Sequence, residues 1–266
     1  MGLSVLMTGA NSGIGFHLAD ALLAAQHRVA VLDVAVDRLV TLHEVHGDRL
    51  RFWRCDVTDA KRVQATVDEC AAEWGRIDVL INNACLCHFE PFAQRTLEQQ
   101  RRELEVNYFG YVNTIWAVLP HMRRQGGGLI YNVGSAVGLT GFAGISGYAA
   151  AKGAIEALTR SLALELRPEG IHVCLIHPPL TRTASAAPLG VPAEVMADPA
   201  VVGRRLARRI GSARPVITPD VRTALFLVMA RLFPTAVGRL LTRLTERARQ
   251  GYRHRKEGGS ESLNRK

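Results

Sequence analysis

Two side chains four residues apart carry the first chemical signal. In Tyr148-Ala149-Ala150-Ala151-Lys152 a phenol and an ammonium share one face of a helix, because residues i and i+4 are neighbours there. Tyrosine titrates near a pH of about 10, too high for proton transfer at neutral pH, and a neighbouring cation favours the phenolate. By itself the spacing fits a surface pair. Ser135 changes that reading, since it stands thirteen residues earlier, just past the apolar run Gly128-Leu129-Ile130-Tyr131-Asn132-Val133. Ligands of open parallel sheets bind beyond the carboxyl ends of the strands. A hydroxyl there, with a phenol beside a cation, is equipped to bind and protonate a substrate oxygen.

A second constellation opens the chain. Thr8-Gly9-Ala10-Asn11-Ser12-Gly13-Ile14-Gly15 joins the apolar run Ser4-Val5-Leu6-Met7 to a stretch of helical periodicity, Phe16 to Leu23. Backbone N–H groups at a helix start cradle a pyrophosphate, and glycines keep bulky side chains out of its way. Three glycines alone fit any tight turn; the strand before and the helix after favour a dinucleotide. Asp33 ends the next apolar run, Arg28 to Leu32. A carboxylate at that point accepts hydrogen bonds from both ribose hydroxyls of NAD and repels the extra phosphate of NADP. Ser12, where a cation would face that phosphate, is neutral, while Arg38 is basic and near. NAD is favoured and NADP stays open.

These groups need a frame, and the rest of the pattern supplies one. Further strands read at Leu50–Cys55, Ile77–Asn82, Gly128–Val133 and Ile171–Ile176, separated by helices over Ala60–Trp74, Leu97–Arg124 and Tyr148–Leu166. Such alternation predicts an α/β Rossmann-type fold, a doubly wound parallel sheet in three α/β/α layers. One domain is expected over residues 1–222, with a substrate loop at about 180–215 that includes a helix near Ala200–Ile210 and a last edge strand, Pro215–Thr218. An apolar-basic helical segment, 223–253, and a polar, frayed tail, 254–266, follow.

In order and spacing the sequence resembles the short-chain dehydrogenase/reductase family over roughly residues 3–220. The glycine turn matches that family's Thr-Gly-x-x-x-Gly-x-Gly element. Asp56-Val57 matches the Asp that contacts adenine, and Asn82-Asn83-Ala84 the segment supporting the central sheet. Asn107, Ser135, Tyr148 and Lys152 match the catalytic tetrad. The resemblance implies a hydride transfer between NAD(P) and an alcohol or carbonyl carbon. Tyr148 would give or take the hydroxyl proton, and Ser135 would bind the substrate oxygen. Lys152 would bind the nicotinamide ribose and depress the tyrosine pKa, and Asn107 would hold a water linking Lys152 to solvent. Gly9, Asn11, Ser12, Gly13, Ile14, Gly15, Asp33, Asp56, Val57, Asn83, Ala84, Pro178 and Thr183 would line the cofactor with Tyr148 and Lys152. Two positions depart from the pattern: Cys85 stands where the family has the glycine of Asn-Asn-Ala-Gly, and Pro179 where it has Pro-Gly. A non-catalytic dinucleotide-binding regulator is the competing class, disfavoured because all four tetrad residues are kept.

The bulk numbers agree with a packed enzyme domain. Of 266 residues, 48% are hydrophobic and 21% charged, which permits a large core and argues against disorder. Five scattered cysteines and an opening without a secretory pattern fit a reduced, cytoplasmic setting, and Cys85-Leu86-Cys87 is too tight for common zinc spacing, so no metal is expected. The formal charge of +9 is uneven: residues 201–266 hold sixteen Lys and Arg against four acids. No nucleic-acid module accompanies them, so no nucleic-acid partner is expected. Leu240, Leu241 and Leu244 among Arg239, Arg243, Arg247 and Arg249 read as a basic amphipathic segment that lies on a membrane surface, covers the substrate pocket or packs on another subunit. The family resemblance further implies a homodimer or homotetramer through helices 97–124 and 148–166, and the tail hints at a lipophilic substrate of steroid, retinoid or acyl type. Phe89, Phe92 and Phe142 fit a lipophilic pocket or plain packing; His177 reads as a loop residue, and His88 and His121 have no assigned role.

Overall fold

Runs of Val, Ile and Leu without polar interruption form strands only where both faces are covered, and that is how the chain folds in the computed structural model, which describes residues 2–246. Seven strands, β1 (Ser4–Thr8), β2 (Arg28–Asp33), β3 (Leu50–Arg54), β4 (Val79–Asn82), β5 (Gly128–Val133), β6 (Ile171–Ile176) and β7 (Val216–Ile217), make one sheet. Its order is β3-β2-β1-β4-β5-β6-β7, with every pair parallel. The order reverses between β1 and β4, which opens a crevice at their carboxyl ends.

Alternation along each strand divides the core in two. Val5, Met7, Val29 and Val31 face helices α1 (Gly13–Ala24), α2 (Asp37–His46) and α8 (Pro199–Ala207), through Leu18, Leu22, Leu39 and Val202. Leu6, Ala30, Leu32 and Leu80 face α3 (Ala60–Trp74) and α5 (Gly110–Arg124), through Val63, Val67, Ile115 and Val118. The expected three layers are present. Between them in sequence lie α4 (Leu97–Leu104), the short α6 (Val137–Thr140) and α7 (Ser146–Glu165); α9 (Val221–Leu232) and α10 (Pro234–Glu246) follow β7.

Four features differ from the pattern-based reading. Helix α2 was not anticipated, because only Leu39 and Leu42 of its ten residues are buried. The helix expected over Leu97–Arg124 is broken by a π turn, Glu105–Phe109, whose extra residue per turn carries Asn107 into the interior. In the loop region 180–215 the helix ends at Ala207, and two 3₁₀ turns, Ala184–Leu189 and Ala193–Val195, order the segment before it. The last strand is shorter than expected and pairs only Val216 and Ile217 with β6. Residues 247–253 of the expected helical segment, and the tail 254–266, lie outside the described residues.

Candidate active site

The carboxyl edge of the sheet gathers the residues singled out from sequence. At the end of β1 the chain turns through Gly9, at φ +69°, where a Cβ would sit 2.6 Å from the Ala84 Cα. A Cβ on Gly15 would lie 2.2 Å from the Gly9 carbonyl oxygen. Only glycine closes this turn. Ser12 caps α1 without a side-chain hydrogen bond, and no acid occupies the first turn. The opening N–H groups of the helix therefore point outward without a local anion, the condition for holding a phosphate. Thr183 reaches over this turn: its Cγ2 would be 3.1 Å from a Cβ on Gly13. Thus Gly9 to Gly15, with Asn11, Ser12, Gly13 and Ile14, and Thr183 beyond Pro178, form two sides of one slot.

Polar ties hold the slot together. Thr8 Oγ1 accepts from the N–H groups of Asn83 and Ala84 at 3.1 and 3.0 Å, and Asn83 Nδ2 donates to the Gly9 carbonyl. Behind them a buried chain crosses the sheet: Thr114 Oγ1 donates to Asn82 Oδ1, Asn82 Nδ2 to Asn132 Oδ1, and Asn132 Nδ2 to Thr159 Oγ1. A satisfied buried network of this kind fixes α5 and α7 against β4 and β5. Asp33 accepts from the N–H of Asn11 at 2.8 Å and from that of Ala35 at 3.1 Å, so it braces the glycine turn from the end of β2. Its two oxygens keep further lone pairs for ribose hydroxyls. Asp56 accepts from Thr58 and, at 2.6 Å, from Arg102, which fixes the carboxylate just past β3 beside Val57.

Tyr148 and Lys152 stand one turn apart on α7, facing the end of β5. Lys152 is 1% exposed. Its Nζ donates to the Val133 carbonyl at 2.7 Å and to the Tyr111 hydroxyl at 3.1 Å, and lies 5.7 Å from the Tyr148 ring centre. Burial lowers the Lys152 pKa. Ser135, just past β5, lies close enough to Tyr148 for its hydroxyl to pull the phenol pKa down. The expected acidification of Tyr148 by Lys152 does not appear. Burial pushes the phenol well above its ordinary value, and the Ser135 hydrogen bond opposes this only in part. The reason is geometric: the ammonium is held by Val133 and Tyr111. Desolvation outweighs a cation aimed elsewhere.

Three hydrogen bonds fix Asn107 in place. It is fully buried, and its amide nitrogen donates to the carbonyls of Leu86 at 2.6 Å and Glu103 at 2.8 Å, while its oxygen accepts from the Leu86 N–H at 3.1 Å. Both amide hydrogens are committed, so the side chain clamps the segment after β4.

Neither departure from the family pattern strains the backbone. Gln26 is the one non-glycine with positive φ among the described residues, so Cys85 and Pro179 sit in ordinary conformations. Cys85 is accessible from the crevice. Desolvation raises its thiol pKa. Phe89 and Phe142 are half-buried in loops, whereas Phe92 is exposed.

Sequence reasoning missed a buried pair under the site. His177 Nε2 lies 2.6 Å from Glu156 Oε1, both residues 1% exposed, and Arg160 and Arg231 approach Glu156 at 3.1 and 3.9 Å. Burial alone would raise the Glu156 pKa; the close approach of His177 and the nearby cations hold it below the ordinary value. Glu156 follows Lys152 by four residues, a spacing legible in the sequence; its partner on β6 was not. His88 and His121 meet carboxylates of Glu103 and Asp68.

The chain is similar to known proteins along most of its length. The family model described as short chain dehydrogenase matches residues 4–191. A 2-(R)-hydroxypropyl-CoM dehydrogenase of Xanthobacter autotrophicus is 36% identical over 185 residues, which is 67% of this chain and 74% of that protein. A fatty acyl-CoA reductase of Acinetobacter baylyi is 29% identical over 261 residues, 90% of this chain and 88% of that protein. Among solved structures, a short-chain dehydrogenase from Streptomyces avermitilis superposes with a TM-score of 0.78 at 30% identity, covering 94% of this chain and 99% of its own. The chain belongs to the short-chain dehydrogenase family. It is an NAD(P)-dependent oxidoreductase that interconverts alcohols and carbonyl compounds.

Proposed function

We propose that the chain uses NAD to interconvert a lipophilic secondary alcohol and its ketone, or a primary alcohol and its aldehyde, with Tyr148 exchanging the hydroxyl proton. The observation that carries this reading is the convergence of Ser135, just past β5, with Tyr148 and the buried Lys152, one turn apart on α7. Bound NAD(H) supplies or accepts the hydride. The α1 N-terminus and Thr183 hold the pyrophosphate side, Asp33 the adenosine ribose, and Asp56 and Val57 the adenine. Asn83, Ala84 and Pro178 wall the slot, and Lys152 binds the nicotinamide ribose. Ser135 orients the substrate oxygen, and Tyr148, protonated at neutral pH, donates to it in carbonyl reduction. Asn107 acts as a positioning residue that holds the floor of the site.

The preference for NAD rests on Asp33, whose carboxylate at the ribose position repels a 2′-phosphate. Fluorescence titration of the full chain should give NADH at least about tenfold tighter binding than NADPH, the equivalent of about 1.4 kcal/mol. Tighter binding of NADPH would overturn this assignment. Lipophilic character is supported by the apolar surface of α9 and by the long match with the fatty acyl-CoA reductase. A panel of long-chain, steroid-like and retinoid-like carbonyls tests it. Preference for short polar ketones would refute it.

The exposed Phe109, Trp116 and Leu164, on the π turn, α5 and α7, support a homodimer through those helices. Trp116→Glu should convert the wild-type dimer to monomer in light scattering. An unchanged mass would place the contact elsewhere.

A further inference from the structure

The outer surface of α9 and α10 has no role in cofactor binding or proton transfer. Helix α9 buries Thr223, Leu227 and Ala230 against the domain. Its remaining faces carry Val221, Leu225, Phe226, Val228, Met229 and Leu232, all exposed. So wide an exposed apolar surface, broken only by Arg222 and Arg231, marks an interaction site. Past the exposed Phe233 the chain bends by 116° into α10, where the exposed Leu240 and Leu244 alternate with Arg239 and Arg243. No single described helix is long and apolar enough to cross a membrane. Together the pair is long and apolar enough for a bent span, but its 116° bend and its exposed arginines suit a helix pair lying in an interface plane.

Charge around the patch has one sign. Arg222, Arg231, Arg239 and Arg243 are exposed along the two helices. A shallow groove at the start of α9, where Val221 and Ala224 meet β7, is lined also by Arg208, Arg209 and Arg214. Over residues 201–246 the acids are Asp220, committed to Thr223 and Arg205, and Glu246. A second copy docking here across a two-fold axis would set these arginines against their own counterparts. An anionic lipid surface meets both the apolar face and the cations.

We propose that the α9–α10 pair docks the enzyme on an anionic phospholipid surface with its substrate crevice beside the bilayer. The link to the crevice is direct. Thr242 Oγ1 accepts from the Ala143 N–H at 3.1 Å, and a Cβ on Gly238 would lie 2.7 Å from the Thr140 carbonyl oxygen. Both contacts fall on the segment that joins Ser135 to Tyr148. Arg231 of α9 reaches toward Glu156, one turn beyond Lys152. A lipophilic substrate dissolved in the bilayer would then enter laterally, and this delivery rests on the substrate class proposed above.

The test is flotation of the full chain with phosphatidylcholine vesicles, with and without phosphatidylglycerol. Partition onto the anionic vesicles should exceed that onto neutral ones by about tenfold or more and should weaken as salt screens the arginines. Arg239→Glu with Arg243→Glu, and separately Leu225→Glu with Leu232→Glu, should each lower partition by about tenfold or more, with thermal midpoint and turnover of a water-soluble carbonyl unchanged. Equal partition onto both vesicle types, absence of partition, or variants that bind as well as wild type would overturn the proposal. So would loss of dimer mass in the leucine variant of a protein that ignores vesicles. Vesicle binding is read without turnover: a chain that docks but reduces no lipophilic carbonyl refutes the substrate class alone, and a chain that reduces one but never docks refutes the docking alone.

Discussion

Tyr148→Phe should lower turnover by about three orders of magnitude while leaving dinucleotide affinity within about twofold. The phenylalanine ring keeps the packing of the crevice wall and removes one hydroxyl, the group in contact with Ser135. The groups assigned to the dinucleotide are otherwise untouched: the glycine turn, Asp33 and Lys152 make their bonds without Tyr148. A thousandfold loss corresponds to about 4 kcal/mol of transition-state stabilisation, within the range of a lost general acid. NADH titration checks the first half and steady-state rates on a lipophilic ketone check the second. A variant that binds NADH far more weakly would make Tyr148 a binding residue.

Lys152→Ala should damage both functions. The ammonium is buried and makes charge-assisted bonds to Val133 and Tyr111, so truncation leaves the Val133 carbonyl and the Tyr111 hydroxyl with only their own 3.3 Å bond in the interior. That costs about 1–3 kcal/mol of stability, readable as a lower denaturation midpoint. Loss of a charged donor to the nicotinamide ribose should weaken dinucleotide binding by about tenfold or more, and kcat/KM should fall further because the nicotinamide is no longer held in line for hydride transfer. Lys152→Arg separates charge from shape: it keeps the cation, but a planar fork fits poorly between Val133 and Tyr111, so only partial rescue is expected. Full activity and normal NADH binding in Lys152→Ala would remove the residue from the site.

The parts of this site that are local in sequence were legible there. Tyr148 and Lys152 share a helix face by spacing, and the glycine turn announces itself by being squeezed between a strand and a helix. The parallel sheet follows from apolar runs too continuous for one-sided burial. What escaped was set by contacts between distant segments. The Lys152 ammonium is turned toward Tyr111, forty-one residues away, and nothing in the Tyr-x-x-x-Lys spacing says so. The direction of the Tyr148 shift was misjudged for the same reason: a cation four residues away is visible in sequence, whereas desolvation by the surrounding fold is not. Asn107 was found, but its commitment to Leu86 and Glu103 depends on a π turn that helical periodicity smooths over. Glu156 and His177 are joined only by the packing of α7 on β6.

The raised phenol pKa assigns a direction to the chemistry of pH. A protonated Tyr148 is the form that donates to a carbonyl oxygen, and burial keeps that form populated through the neutral range. Alcohol oxidation needs the deprotonated form and should accelerate as pH rises, whereas carbonyl reduction should stay level and fall only on the alkaline side.

Single-turnover reduction of a lipophilic ketone at saturating NADH, followed across pH in the wild type and in Tyr148→Phe, probes the proton donor itself. The wild type should show a rate plateau through neutral pH and an alkaline decline, and the variant a flat profile about a thousandfold lower. A variant that retained both the wild-type rate and the alkaline decline would mean that some other group delivers the proton.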